Sequence, residues 1–571
     1  MHELDDGDAE KMCEDGLFRA ATAPVALGHV GMRRCVWKRH DRDNKDSLLG
    51  LDDLESEAER AQVREACASA FREREKVRQV DVFISHNWGA RRWVKFLAMC
   101  FFLNLGMAVK ATLASALIVA ACMLLAAGSV TGLGGDPLVM PLLGYLPMSI
   151  FFLVFFFGQT ITGGHWSPTL WLDKLCVLQT DECMKAKAIS AFPVFLAHSN
   201  QMLVLWDDDY FERMWCNLEL ATFTGFSAQR TQKVEFVPMW LAPWLLAFIL
   251  TDLVSVSALR VISNIISEPS VVSEGFAACD YLLMHTLGTD SPEARFFVYY
   301  VLICVVSCVS YYLTAIPAVV AVLSKMRKHS FMLEQMADFD IRAAKCTLES
   351  DRRLVEKRIG ELLARRKAAV TDDGSGGLNT CLMMDHQNIE PLDCFNAYVR
   401  GPLKQAVLEK IGDGMHVPYH LCLVASLPMA LFSLVDLLSC SDVSCQMQAR
   451  ELDLSVQGYM GGLAGFWLLN DLMIYPIAQP ILFRVLSRVC CAWERLSTRI
   501  ALGLLAAIIL YTYIFLCSGV LLALIVVSSQ TLRSCWLAAL LLFILFLVCQ
   551  LWATFRVPSP ENRQEPVPGS Q

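Results

Sequence analysis

Three short stretches carry the side chains best suited to chemistry. DVFISHNW at Asp81–Trp88 offers the Ser85 hydroxyl, the His86 imidazole and the Trp88 indole. WLDKLCVLQTD at Trp171–Asp181 offers the Asp173 carboxylate beside Lys174. DDDYFERMWCNLELATF at Asp207–Phe223 offers Trp215, Cys216 and Glu219. A fixed carboxylate can stabilise positive charge that develops on a reacting molecule. An indole can stack on a flat ring. Each residue also has a plainer reading. Glu219 suits the solvated face of a helix by propensity alone. Trp215 and Cys216 suit packing, since cysteine is commonly buried. His86 suits a turn, and Ser85 with Asp81 suits the ends of a strand.

A second set of polar residues sits in apolar surroundings: Asp252 in LTDLV, Asp436, and Asn470 with Asp471, followed by Pro476 and Pro480 in NDLMIYPIAQP. A charge at the centre of a bilayer costs at least about 2.5–3.5 kcal/mol on insertion scales, so such acids face a bundle interior, a partner or water. A proline-interrupted helix beside an acid can line an ion or substrate site. The alternative is that Asn470 and Asp471 hydrogen-bond to neighbouring helices and that Asp436 lies at the membrane interface. The sequence has no recognisable selectivity filter, transporter signature or P-loop. Cys440 and Cys445 could close a small disulfide, and Cys490 and Cys491 are candidates for palmitoylation.

The chemistry-bearing stretches need elements to hold them. Val80–Ser85 is apolar apart from Asp81 and Ser85 and reads as a buried parallel strand. Trp171–Leu175 and Met202–Trp206 read as two more short strands. Asp181–Ala197 and Phe211–Phe226 read as helices. Alternating strands and helices predict a parallel α/β sheet. Ligands bind beyond the carboxyl ends of such strands, and Ser85–Trp88, Asp173–Gln179 and Asp207–Glu219 all fall on that edge. Farther on, Phe339–Ala369 reads as a helix, DDGSGGLNT at Asp372–Thr380 as a break, and Leu392–Ile411 as a helical stretch interrupted at Gly401-Pro402.

Most of the remaining chain is apolar. Of 571 residues, 55% are hydrophobic and only 19% charged, and the mean hydropathy of +0.43 is that of a multipass membrane protein. The net charge of −8 is spread along the chain, with no basic tract for nucleic acid. The 22 cysteines are scattered, without the spacing of a zinc site. A spanning helix needs about 20 mainly apolar residues. Eight windows qualify: Ala108–Ala127, Leu142–Thr160, Met239–Ile262, Phe296–Leu323, Tyr419–Leu438, Val456–Leu482, Ile500–Val526 and Leu532–Phe555. Basic residues concentrate after the fourth and sixth windows, while the alternate loops are acidic or nearly uncharged. By the positive-inside rule both termini are then cytosolic. Residues 1–79 show no signal peptide.

The three motifs together resemble a Toll/interleukin-1 receptor-like (TIR) domain. DVFISH resembles the first TIR box. WLDKLCVLQTD resembles the strand and loop that follow, with Asp173 and Lys174 in the familiar positions. Tyr210 with Trp215-Cys216-Asn217-Leu218-Glu219-Leu220 resembles the Y…WCxxEL motif. The likeness covers about a quarter of the chain. The whole architecture also resembles multipass TIR-like membrane proteins of dinoflagellate algae. In NAD-cleaving TIR domains the Glu of this motif is the catalytic carboxylate, which by this match is Glu219. Ser85, Trp88, Asp173 and Trp215 would then border the nucleotide. The chain departs from the family pattern in having Asn87-Trp88-Gly89 where Arg-Gly is usual, and in lacking the customary Gly after Asp173. Cleavage of the nicotinamide–ribose bond passes through an oxocarbenium-like state, which a nearby carboxylate stabilises as in glycoside hydrolysis.

The expected architecture is a TIR-like, flavodoxin-like parallel sheet split by a membrane hairpin, followed by a helical multipass domain. Its parts are a polar cytosolic region (1–79), the first sheet segment (80–107), the hairpin (108–160), the second sheet segment (161–237), two spans (238–324), a cytosolic helical region (325–418), four spans (419–555) and a cytosolic tail (556–571). The expected partners are the lipid bilayer and further copies through the TIR-like domain, with no nucleic acid. No cofactor is required, and NAD+ is a candidate substrate. Three functions fit: signalling by self-association or NAD+ cleavage, a channel or transporter regulated by the TIR-like domain, and a non-enzymatic scaffold.

Overall fold

The computed structural model describes residues 15–31, 56–127, 137–178, 180–225, 227–289, 291–346, 349–373, 390–412, 417–439, 443–493, 495–531 and 534–556. The chain divides into two compact units. One comprises residues up to Met107, Leu153–Pro243 and Lys328–Lys410; the other comprises Ala108–Phe152, Trp244–Arg327 and residues from Ile411 onward. Cys440 and most of the DDGSGGLNT break lie outside the described residues, as do the side chains of Cys445, Cys490 and Cys491.

The first unit is built on a six-stranded sheet of β1 (Arg19–Thr22), β2 (Glu75–Lys76), β3 (Val80–His86), β4 (Thr169–Trp171), β5 (Ser199–Trp206) and β6 (Val234–Pro238), in the spatial order β2-β1-β4-β3-β5-β6. The last four are mutually parallel, with Val82 opposite Leu170 and Phe83 opposite Met202. Taken alone, these four strands run in the order 2-1-3-4, the order of doubly wound flavodoxin-like sheets. β3 and β5 are buried along nearly their whole length, as their unbroken apolar character requires. Phe83 stacks on Trp171 at 4.5 Å between ring centres.

Several expectations need correction. Residues 1–79 are not merely a polar leader: β1 pairs antiparallel with β4 and extends the sheet. The second strand ends at Trp171, and Asp173–Cys176 is a helical turn. Its cause is local. Asp173 Oδ1 accepts from Lys174 N at 2.7 Å, and the amides of Leu175 and Cys176 return to Leu172 O at 2.8 Å. Phe339–Ala369 is not one helix. A short turn at Ile341–Ala343 follows Asp340, whose side chain caps Arg342 N, and the helix proper runs Glu349–Asp373. Arg213 pairs in a parallel bridge with Lys345, so this segment is part of the sheet unit. The break at Gly401-Pro402 is absorbed by a π turn, Val399–Leu403.

The hairpin insertion is clasped where it leaves this unit. The helix Arg92–Ala127 and the helix Leu146–Ile161 meet through Asn104 Nδ2, which donates to Phe155 O at 2.8 Å, and through Gln159 Nε2, which donates to Leu103 O at 3.3 Å. The two chain crossings are thereby fixed side by side. Loop-closure entropy grows only slowly with the length inserted between them.

Seven helices among the described residues are long and apolar enough to cross a membrane, and an eighth span arises if Tyr419–Ala425 and Leu427–Leu438, bent by 56°, are counted as one. These lengths and compositions are those of an integral multipass membrane protein. Three of the apolar windows are not continuous helices. The fourth stops at Tyr312 and restarts at Ala315. The fifth bends at Ser426, before Pro428. The sixth changes to a π turn at Asn470–Ile474 and a 3-10 turn at Tyr475–Ile477, where Pro476 has no amide to donate.

Candidate functional site

β3 and β5 are neighbours whose following connections depart to different sides of the sheet. This is the switch point at which open α/β sheets bind ligands. The residues that follow the two strands meet there. Asn87 Nδ2 donates to Asp207 Oδ2 at 2.9 Å; Asn87 Oδ1 accepts from Arg213 Nη1 at 2.9 Å and from Gly89 N at 3.0 Å. A side chain missed in the sequence, Asn87, thus organises the crevice.

Beneath this layer lies a buried polar chain. Ser85 Oγ is 2.7 Å from the Tyr210 hydroxyl and lies beside the Glu219 carboxyl, whose pKa its hydroxyl lowers. Glu219 comes from the helix Met214–Thr224, which begins after Arg213 and stops at Gly225, whose φ of 50° is left-handed. Asn217 secures the first turn, donating to Phe211 O and Arg213 O. On the adjoining strand end, Asp173 Oδ2 accepts from the Trp88 indole N–H. The Lys174 ammonium lies 4.4 Å from the centre of the Trp88 ring, and buried Lys95 donates to Trp88 O at 3.1 Å.

The structure therefore brings Ser85, Trp88, Asp173 and Glu219 to one edge. Trp215 faces elsewhere: its indole N–H donates to Asp351 Oδ2 at 3.3 Å on the helix Glu349–Asp373. Asp81 lies at the opposite end of β3, where it accepts from the Thr169 amide and hydroxyl at 2.8 Å and fastens two strand starts. Backbone and side-chain donors there hold its carboxyl below the usual range.

Electrostatics at the carboxyl edge run the other way. Burial pushes Glu219 up to about 8, against the Ser85 hydrogen bond. Burial also raises Asp207 to about 6, against the Asn87 hydrogen bond. Asp173 is raised by burial and pulled back by the Lys174 ammonium, whose own value burial lowers. Two buried carboxyl oxygens, Asp207 Oδ1 and Glu219 Oε2, have no hydrogen-bond partner among the described residues. Such orphans are uncommon in folded proteins and mark places where a ligand or water completes the set. A carboxyl that is neutral at pH 7 and becomes ionised beside positive charge is equipped to respond to a cationic ligand.

Comparison with protein-family models, with curated proteins and with solved structures finds no match to this chain.

The polar residues of the apolar helices are also distributed. Asp436 Oδ2 accepts from Trp467 Nε1 at 3.1 Å. Asn470 Oδ1 accepts from Ser518 Oγ at 2.7 Å, and Asn470 Nδ2 reaches Asp471 Oδ1 at 3.5 Å. Asp252 lines a cavity, together with Tyr311, Tyr475 and Gln479, none of which stood out in the sequence.

Proposed function

We propose that the sheet unit is a TIR-like signalling module of a multipass membrane protein, and that it cleaves NAD+ with Glu219 as the carboxylate that stabilises the oxocarbenium-like state. One observation carries the reading: a Glu219 carboxyl with a buried oxygen that has no partner among the described residues, beside Ser85 at the carboxyl edge of a 2-1-3-4 parallel sheet. A nicotinamide ring bears a positive charge. Its arrival would lower the Glu219 pKa and leave the carboxylate charged as cleavage begins. Trp88 supplies the aromatic edge and Asp173 holds its indole.

The module faces the cytosol in this proposal. Residues up to Met107, Leu153–Pro243 and Lys328–Lys410 form one compact unit, so an even number of spans separates each from the next. Basic residues in Lys325–Lys367 select the cytosolic side.

A second reading, a scaffold acting by self-association without catalysis, is favoured by the closed packing of the edge. The Trp88 ring is engaged by Lys174 and its N–H by Asp173. Nicotinamide release by the purified full chain, clustered on lipid, separates the two. Wild type should release nicotinamide. Glu219→Gln should lose at least about a hundredfold, since it removes charge stabilisation at the transition state. No release by clustered wild type would establish the scaffold, and equal release by both proteins would remove Glu219 from the chemistry.

A further inference from the structure

The second unit contains a cavity at the place where three apolar helices are broken. Tyr311 and Thr314 flank the break after Tyr312, Ser426 is the bend of the fifth window, and Tyr475 begins the 3-10 turn of the sixth; all four line the cavity. Non-helical backbone within a membrane is tolerated where it is buried in protein or lines a cavity. The volume is about 40 Å³, room for a few waters and far below that of an organic ligand site.

Most of the lining surface is apolar, but nine of the fifteen lining residues carry a side-chain oxygen and one of them, Asp252, a charge. Asp252 projects from the middle of the helix Leu241–Ile266. Its Oδ1 accepts from the Tyr311 hydroxyl at 2.6 Å and its Oδ2 from Met429 N at 3.1 Å, at the start of the helix Leu427–Leu438. Each carboxylate oxygen keeps a further lone pair. No Lys, Arg or His is among the residues that line the cavity, so no side-chain cation there balances Asp252. Gln479 is 8% exposed, lines the same cavity, and its Oε1 has no hydrogen-bond partner among the described residues. The Tyr475 hydroxyl adds a neutral oxygen to the wall.

We propose that this cavity is a binding site for a monovalent alkali cation, with Asp252 as counter-charge and Gln479 Oε1 as a neutral ligand. Oxygen-only donors select hard cations over transition metals. A single carboxylate balances a single charge, whereas calcium sites gather several acidic oxygens and six to eight ligands, and magnesium keeps several waters. The size of the cavity fits an ion with at most a few waters. The inference stands on the helical unit alone and does not depend on NAD+ cleavage.

The test uses purified full-length protein and radioactive sodium, with potassium, lithium and choline as competitors. Wild type should bind sodium saturably, and alkali ions but not choline should compete. Asp252→Asn should abolish binding, and Gln479→Leu should weaken it about tenfold or more, equivalent to about 1.4 kcal/mol or above. Sodium, and not choline, should raise the thermal unfolding temperature of wild type. That rise should vanish in Asp252→Asn. Absence of saturable alkali-ion binding by wild type overturns the proposal, whether the cavity holds water or only a proton. So does undiminished binding by either variant. The wild-type measurement decides the matter even if a variant fails to fold.

Discussion

The carboxyl edge of the sheet and the cavity among the apolar helices both hold an acid close to a tyrosine hydroxyl, and they treat it differently. At the sheet edge, Asp173, Asp207 and Glu219 share their surroundings with Lys95, Lys174 and Arg213, so the acids and cations of the same unit offset one another. In the cavity the donors to Asp252 among the described residues are neutral, a tyrosine O–H and a backbone N–H. Breaking a buried ion pair by removing one partner is costly, but a charge held by neutral dipoles is free to attract a mobile counter-ion. In the first arrangement the charges are largely balanced within the unit, whereas in the second no cationic side chain lines the cavity beside Asp252.

The largest expected effect concerns pH at the sheet edge. The Glu219 carboxyl ionises at its ordinary 4.5 in the unfolded chain and at about 8 in the fold. Between those values the folded state keeps a proton that the unfolded state has released. Stability is complete below pH 4.5 and declines as pH rises through about 8, by up to about 1.4 kcal/mol per pH unit. Glu219→Gln should remove this slope and be the more stable protein at pH 8 and above. Hydrogen exchange at the Phe83 and Leu203 amides reads it, and an unchanged slope in the variant would show that Glu219 is solvated.

A smaller effect compares the two tyrosines. Tyr311→Phe removes a donor from a carboxylate and should cost about 1.5–3 kcal/mol; Tyr210→Phe removes a hydroxyl-to-hydroxyl bond and should cost about 0.5–1.5 kcal/mol. Chemical unfolding in detergent measures both. The reverse order would mean that Asp252 is neutral, and the contrast between the two regions would collapse.

The smallest effect bounds the site. Trp215→Phe loses one hydrogen bond to Asp351, worth about 1 kcal/mol, and should leave nicotinamide release unchanged. A loss of release would return Trp215 to the site, against its placement here.

What could be read from the sequence follows the range of the forces involved. VDVFISH declares a buried strand through consecutive β-branched and aromatic residues, and NDLMIYPIAQP declares a break through its prolines. RAAT at Arg19–Thr22 carries no such pattern; it is a strand because β4 offers an open edge. Asp173 reads as strand by its apolar neighbours, yet its carboxylate captures the next amide and turns the chain. Asp471 is conspicuous in the sequence because it sits beside the prolines. Asp252 lines the cavity because Tyr311 and Met429, 59 and 177 residues away, bring donors to it. Local pattern tells where a helix can yield, while the partner that fills the gap is set by tertiary packing.

The clasp at Asn104 and Phe155 has a consequence for synthesis. β3 leaves the ribosome before the hairpin, and its parallel neighbours β4 and β5 leave after it. Until then its backbone edges are unpaired, the condition that invites association with other chains. β4 and β5 can join β3 only after the intervening helices have been made, and the Asn104–Phe155 hydrogen bond holds the two arms of that insertion together. A nascent chain whose two apolar helices fail to pair would leave the VDVFISH edge unpaired, so the closing of the insertion protects the strand that precedes it.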